Sequence, residues 1–204
     1  MGKTEYADRL ILALRSKYRE KQAERLPAEK EIVIGGKKTA LRREMLFEGK
    51  CSILLPEIMA DMDFVSRMTR YRSPNRPQII KTDYGSGAAM TFSLIPMTDR
   101  LEGESLSEQM ERTRSDIKKV WKQNVFYDQG EILADGDPVV WMDFRAFCLD
   151  GSLYTMLFMF QVEEQIALGN FHCSFPQYDT WKPAVLKLLA TVQRGGNKNE
   201  RISD

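Results

Sequence analysis

From residue 138 to residue 192 the apolar positions recur first with a period of two and then with a period near 3.6. Three runs, 138–149, 152–162 and 165–175, are rich in hydrophobic residues and parted by short polar turns, which predicts an antiparallel meander. The first turn carries Asp150-Gly151, a pair favoured in two-residue hairpin loops, and the second is Val162-Glu163-Glu164-Gln165. Alternation places Val140, Met142, Phe144, Ala146 and Cys148 on one face of the first run, and Val139, Trp141, Asp143, Arg145 and Phe147 on the other. The middle run is apolar at nearly every position from 153 to 160, so a central strand covered on both sides is expected. The covers follow in the pattern. Asp179 or Thr180 can cap a helix with Pro183 in its first turn, where Trp181, Val185, Leu188, Leu189 and Val192 recur at helical spacing until Gly195-Gly196. A second helix is predicted from Ser105, whose spacing to Glu108 fits a capping box, with Leu106, Met110, Ile117, Val120 and Trp121 as its apolar stripe. Helices bracketing an antiparallel sheet define an α+β protein.

The N-terminal third is patterned differently. Residues 4–26 read as a charged helix with a narrow stripe of Tyr6, Leu10, Ile11, Leu14 and Tyr18, closed by Pro27. Residues 31–34 and 37–47 flank Gly35-Gly36 as a hairpin, and 51–55 form a short strand stopped by Pro56. The helix is expected either to rest on the sheet or to act as an arm that docks on a partner. Residues 57–64 intersperse Met59, Met62 and Phe64 among acids. Methionine is adaptable and over-used on surfaces that accept varied partners, so these three are candidates for an apolar groove, with core filling as the plainer reading. The loop 71–77 carries two arginines and a tyrosine around two prolines before a strand at 78–82. Tyr84-Gly85-Ser86-Gly87-Ala88-Ala89 lacks the Gly-Lys-Ser/Thr of a phosphate loop and runs into a strand at 90–95, so it is read as a hairpin turn.

The order of these elements resembles one known family. A strand ending in Leu55-Pro56, the entry Arg70-Tyr71-Arg72-Ser73-Pro74-Asn75-Arg76-Pro77 to a hairpin, a capped helix, and a meander closing with Gly169-Asn170-Phe171-His172-Cys173 before Trp181-Lys182-Pro183 are similar to the PsbP-like fold. That fold is shared by photosystem PsbP, the Ran-binding Mog protein, and bacterial DcrB-type domains with effector-associated secretion chaperones. The resemblance implies an α/β/α sandwich around a central antiparallel sheet over residues 45–194, and members that bind proteins rather than catalyse. Residues 1–44 would then be an N-terminal helix and hairpin extension, and 195–204 a disordered tail.

Composition narrows the function classes. The 204 residues hold 43% hydrophobic residues, enough for one substantial core. A net charge of +1 offers no global field for nucleic acid or an anionic membrane. No apolar run approaches the roughly 20 residues of a membrane span, and the N-terminus lacks a signal-peptide pattern, so a cytoplasmic protein without membrane insertion is expected, and the family resemblance implies a bacterial one. Cys51, Cys148 and Cys173 show no CxxC spacing and are read as structural thiols, Cys148 and Cys173 on interior faces. His172 and Cys173, being adjacent in a strand, point to opposite faces, and too few ligands surround them for zinc. No cofactor or metal is expected. The resulting expectation is a non-catalytic protein-binding module, adaptor or chaperone, whose partner or second copy meets Met59, Met62 and Phe64 or the sheet face bearing Trp141 and Phe147. The alternative is a small-molecule site or enzyme using a cleft near Asp143 and Arg145, two charges spaced to share a strand face.

Overall fold

The computed structural model describes residues 31–96, 103–149 and 151–195. The helix expected at 4–26 and the tail beyond 195 lie outside these residues.

The meander predicted from the two-residue period is present and is longer than expected. Strand β1 (Glu31–Ile34) and β2 (Lys37–Leu46) form the first hairpin, followed by β3 (Cys51–Pro56), β4 (Ala60–Asp61) and helix α1 (Phe64–Arg70). Next come β5 (Ile79–Thr82), β6 (Ala89–Pro96) and helix α2 (Leu106–Val120). The meander comprises β7 (Val125–Ala134), β8 (Asp137–Cys148), β9 (Gly151–Val162) and β10 (Gln165–Ser174), and leads into helix α3 (Tyr178–Leu189) and β11 (Gln193–Arg194). Strand β7 is the addition. Its signal is Asp135-Gly136, both at positive φ, which turn β7 into β8 as a two-residue hairpin loop.

A seven-stranded antiparallel sheet runs in the order β4-β5-β6-β10-β9-β8-β7, and a four-stranded sheet in the order β1-β2-β3-β11. Helix α3 and the small sheet cover one face of the large sheet, and α2 covers part of the other, which gives the expected α/β/α sandwich. As its apolar run demands, β9 is buried on both sides. Tyr154, Met156, Phe158 and Phe160 enter the main core with Phe92, Phe171, Trp181 and Leu188, while Met159 joins Met110, Val140, Met142 and Ile166 beneath α2. At the centre of the main core Gly169 pairs with Phe92 on one side and Phe158 on the other. A Cβ there would sit 2.0 Å from the Phe158 ring, so the missing side chain is what lets Phe158 and Phe92 meet edge to face at 5.8 Å.

Several boundaries differ from the sequence reading. Residue 44, the expected domain boundary, falls within β2, and Ile32, Ile34 and Leu46 belong to the main core. Cys148 pairs with Gly151, so the β8–β9 loop begins at Leu149, one residue earlier than the Asp-Gly pattern suggests. Helix α3 starts at Tyr178 straight from a 3-10 turn at Phe175–Gln177, which places Pro183 inside the helix and leaves Asp179 and Thr180 in its first turn rather than at its cap. It ends at Leu189, before the glycines, because residues 193 and 194 pair with β3, and Gly195 donates its N–H to the Lys50 carbonyl at 2.6 Å. The capping box at Ser105 and Glu108 forms as expected. Val120 and Trp121, assigned to the apolar stripe of α2, are exposed at its last turn and C-cap. Cys148 is exposed at the tip of β8, which corrects its interior assignment, whereas Cys51 and Cys173 are buried.

Candidate interaction surface

Helix α1 is held by polar groups at both ends. Asp63 caps it, accepting from the Ser66 amide at 2.9 Å, and the Tyr84 hydroxyl donates to the other Asp63 oxygen at 2.7 Å while accepting the Asp63 amide at 2.8 Å. The Ser66 hydrogen bonds, with Tyr84, hold the Asp63 carboxyl well below the usual carboxylate range. Arg67 donates to the Pro77 and Gln78 carbonyls at 2.7 and 3.0 Å, clamping the helix to the loop that follows it. At its exit the Tyr71 hydroxyl lies 3.4 Å from His172 Nε2 on β10. Burial, with the positive charge of Arg70, pushes the His172 imidazolium down to about 4, and burial pushes the Tyr71 phenol up to about 12.

No residue of α1 is buried. Phe64 is 75% exposed and Val65 72%, and Met68, one turn on from Phe64, shares their face. Tyr84 stands exposed beside the helix start. Arg72 and Arg76 lie by this face, the Arg76 guanidinium against the Met68 sulfur and Arg72 donating to the Thr69 carbonyl at 3.2 Å, whereas Arg67 turns to the following loop and Arg70, on the opposite side of the helix, toward His172. Among the described residues none of the four forms an ion pair.

Of the five expected partner-binding residues, the structure brings only Phe64 fully to the surface. Met59 and Met62 are buried, because β4 tucks them between the sheet edge and β2, where the Met59 carbonyl accepts from Arg42 and the Met62 amide donates to Ile80. Trp141 is buried over Gly130, whose absent Cβ leaves room for the indole. Phe147 is 41% exposed at the end of β8, far along the strand from Trp141, and Arg145 lies between its ring and that of Phe175, 4.8 and 4.2 Å from the two centroids.

The Asp143–Arg145 cleft is replaced by a closed ionic cluster. Arg145 Nε donates to Ser152 at 2.9 Å and does not pair with Asp143. Asp143 is 0% exposed; its carboxylate takes the Lys182 ammonium at 2.8 Å, the Tyr154 hydroxyl at 2.9 Å and the Asp128 amide at 2.7 Å. Asp128 closes the group, its carboxylate 2.6 Å from Lys182 Nζ, at the irregularity in β7 between Phe126 and Gln129. Burial pushes the Asp143 carboxyl up against the pull of Lys182. Burial would lower Lys182 too, but the charges of Asp143 and the hydrogen bonds around it outweigh that and hold the ammonium above the ordinary lysine range. No buried side-chain atom of the cluster lacks a partner, which makes it a structural cross-brace between β7, β8, β9 and α3. Lys182 and Asp128 were missed in the sequence; Lys182 occupies an interior position of the α3 stripe, between Trp181 and Val185, and a charge there needs a buried partner.

Other chemistry is sparse among the described residues. No group of three His, Cys, Asp or Glu side chains is arranged to hold a metal ion, and no helix is long and apolar enough to cross a membrane. Burial pushes the Cys51 and Cys173 thiols up to about 11 and about 12, away from reactivity. The Tyr84–Ala89 segment is a hairpin turn, in which Asp83 accepts from the Gly85 and Ser86 amides and Gly87 adopts φ +74°.

An α/β/α sandwich built on this meander has the PsbP-like fold. It is similar to the solution structure of cyanobacterial PsbP (CyanoP) from Synechocystis sp. PCC 6803, with a TM-score of 0.56 at 10% identity over 80% of this chain and 97% of that one. It is also similar to the crystal structure of the Saccharomyces cerevisiae Ran-binding protein Mog1p, with a TM-score of 0.53 at 8% identity over 76% of this chain and 96% of that one. No protein-family model and no curated protein sequence matches the chain.

Proposed function

We propose that this protein is a non-catalytic binding module, an adaptor or chaperone, that engages a protein partner through the exposed face of α1. The observation that carries the reading is a helix held at both ends by polar contacts while Phe64, Val65 and Met68 face outward. Single exposed apolar residues are ordinary, but three together on one capped helix face make a contiguous patch of the kind a partner covers. Support also comes from a neighbour in fold whose name records binding to Ran. The enzyme alternative at Asp143 and Arg145 loses its geometric basis, since Asp143 is sealed and Arg145 is stacked between two phenyl rings. Three free cysteines suit a reducing compartment such as the cytoplasm.

The test is capture from the native host with the full chain, comparing wild type with the Phe64→Asp/Met68→Asp variant and with Phe147→Asp. A partner retained by wild type and by Phe147→Asp but lost from the α1 variant, at an unchanged melting temperature, supports the reading. If the same proteins are retained by all three, α1 is not the binding surface.

A further inference from the structure

We infer that the α1 surface recognises an acidic amphipathic helix of a partner protein, one that sets carboxylates beside a short apolar stripe. This inference rests on the reading of α1 as the binding surface and adds the chemistry of its ligand. The argument starts from charge. Arg72 and Arg76 lie beside Phe64, Val65 and Met68, and residues 64–82 contain four arginines and no Asp or Glu, the Asp63 carboxylate being taken up as the helix cap. The whole chain carries a net charge of only +1, so this basic character belongs to the surface and not to the protein at large. Lys81, the remaining cation of the stretch, is buried and already paired with Glu44 at 2.6 Å and Asp61 at 2.9 Å. The four arginines, by contrast, have no carboxylate partner among the described residues.

Two of these guanidiniums are oriented by backbone carbonyls, Arg67 by Pro77 and Gln78 and Arg72 by Thr69. A guanidinium so held keeps further N–H groups in a planar fork, which matches a carboxylate better than a point charge would. The apolar part is narrow, one helical turn long, and suits two or three anchors spaced i, i+3 or i+4 on a partner helix. Charge also decides against the nearer occupants. A second copy would bring its own arginines against these, and residues 1–30 hold eight Lys and Arg against five Asp and Glu, so the chain's own N-terminal segment is basic as well.

The probe is a fluorescent peptide of about 18 residues with Leu at i, i+3, i+4 and i+7 and Glu at most other positions, titrated with the full chain beside a counterpart carrying Lys for Glu. Vesicles of phosphatidylserine and phosphatidylcholine form the third arm. The expected result is binding of the Glu peptide alone, weakened about tenfold or more between about 50 and 500 mM salt and by Arg72→Glu/Arg76→Glu, and lost in Phe64→Ser. If Phe64→Ser abolishes binding while charge reversal and salt do nothing, or if the Lys peptide binds equally, the surface binds peptides but the acidic ligand is wrong. If Phe64→Ser changes nothing, or the Glu peptide does not bind, the inference fails, and indifference to Phe64→Ser removes the reading of α1 as well. Cosedimentation with the anionic vesicles without binding of the Glu peptide would reassign the surface to lipid.

Discussion

Helices α3 and α1 both fasten an irregular stretch of chain onto the large sheet, and they distribute polarity in opposite senses. Helix α3 buries Tyr178, Trp181, Ala184, Val185, Leu188 and Leu189 and takes a lysine into the core with them. Helix α1 buries nothing and turns its phenylalanine, valine and methionine outward. In α3 the anomaly is satisfied within the molecule, since Lys182 finds Asp143 and Asp128. In α1 the anomaly finds no cover among the described residues, and that difference separates an exception resolved within the structure from one that is not. A misplaced charge that is paired explains itself; a misplaced apolar face on a capped helix asks for something to cover it.

The contrast can be broken most sharply at Lys182. Replacement by Met strands the Asp143 carboxylate in the core and should cost about 3 to 5 kcal/mol in chemical denaturation. Lys182→Met combined with Asp143→Asn should cost clearly less than the two single changes added together; simple additivity would show that the charges do not act as a unit. Leu188→Ala, in the same helix, should cost about 2 to 5 kcal/mol as a core truncation, and a loss under about 0.5 kcal/mol would contradict the packing of α3.

His172 sits between the two regions, under the exit of α1, and its titration reads how tightly that exit is closed. With a folded pKa of about 4 against an ordinary value of 6.5, the unfolded chain takes up the proton first. The folded state therefore keeps its full advantage above pH 6.5 and loses it as pH falls toward 4, by about 1 to 2 kcal/mol once the partial exposure of the ring is allowed for. Comparing denaturation of wild type and His172→Gln at pH 7 and pH 4.5 measures this directly. Equal pH slopes for the two proteins would mean that Tyr71 does not shield the ring. The smallest effect belongs to α1 itself: Phe64→Ser should shift stability by no more than about 0.5 kcal/mol, and a larger loss would place that ring in the core.

Much of the architecture was legible because its signals are strong and local. The apolar run of β9 announced a strand covered on both sides, and the Ser105–Glu108 spacing announced a cap. Strand β7 escaped because Val125–Ala134 lies at the sheet edge, half exposed and carrying Asp, Gln, Gly and Glu, so neither period stands out. The start of α3 was misplaced because a 3-10 turn delivers the chain into the helix, and a side-chain cap is then unnecessary. The surface was legible only in part. A methionine count cannot say which methionines β4 turns inward, and Met59 and Met62 are decided by pairing with β5 and β2, contacts distant in sequence. Trp141 went the same way because a glycine opposite it, on the strand that was not read, made room for its ring.

Gly169 carries a consequence for how this chain can change over time. Because Phe158 occupies the space that a side chain at 169 would need, the two positions are not free to vary in either order. Alanine at 169 in the present background forces a ring out of its place, an overpacking that costs roughly 1 to 3 kcal/mol. A prior reduction of Phe158 to a smaller residue opens the site, and alanine at 169 then fills a void instead of colliding. Both single steps are costly and the two positions are coupled, so a chain with a side chain at 169 should carry a smaller residue at 158.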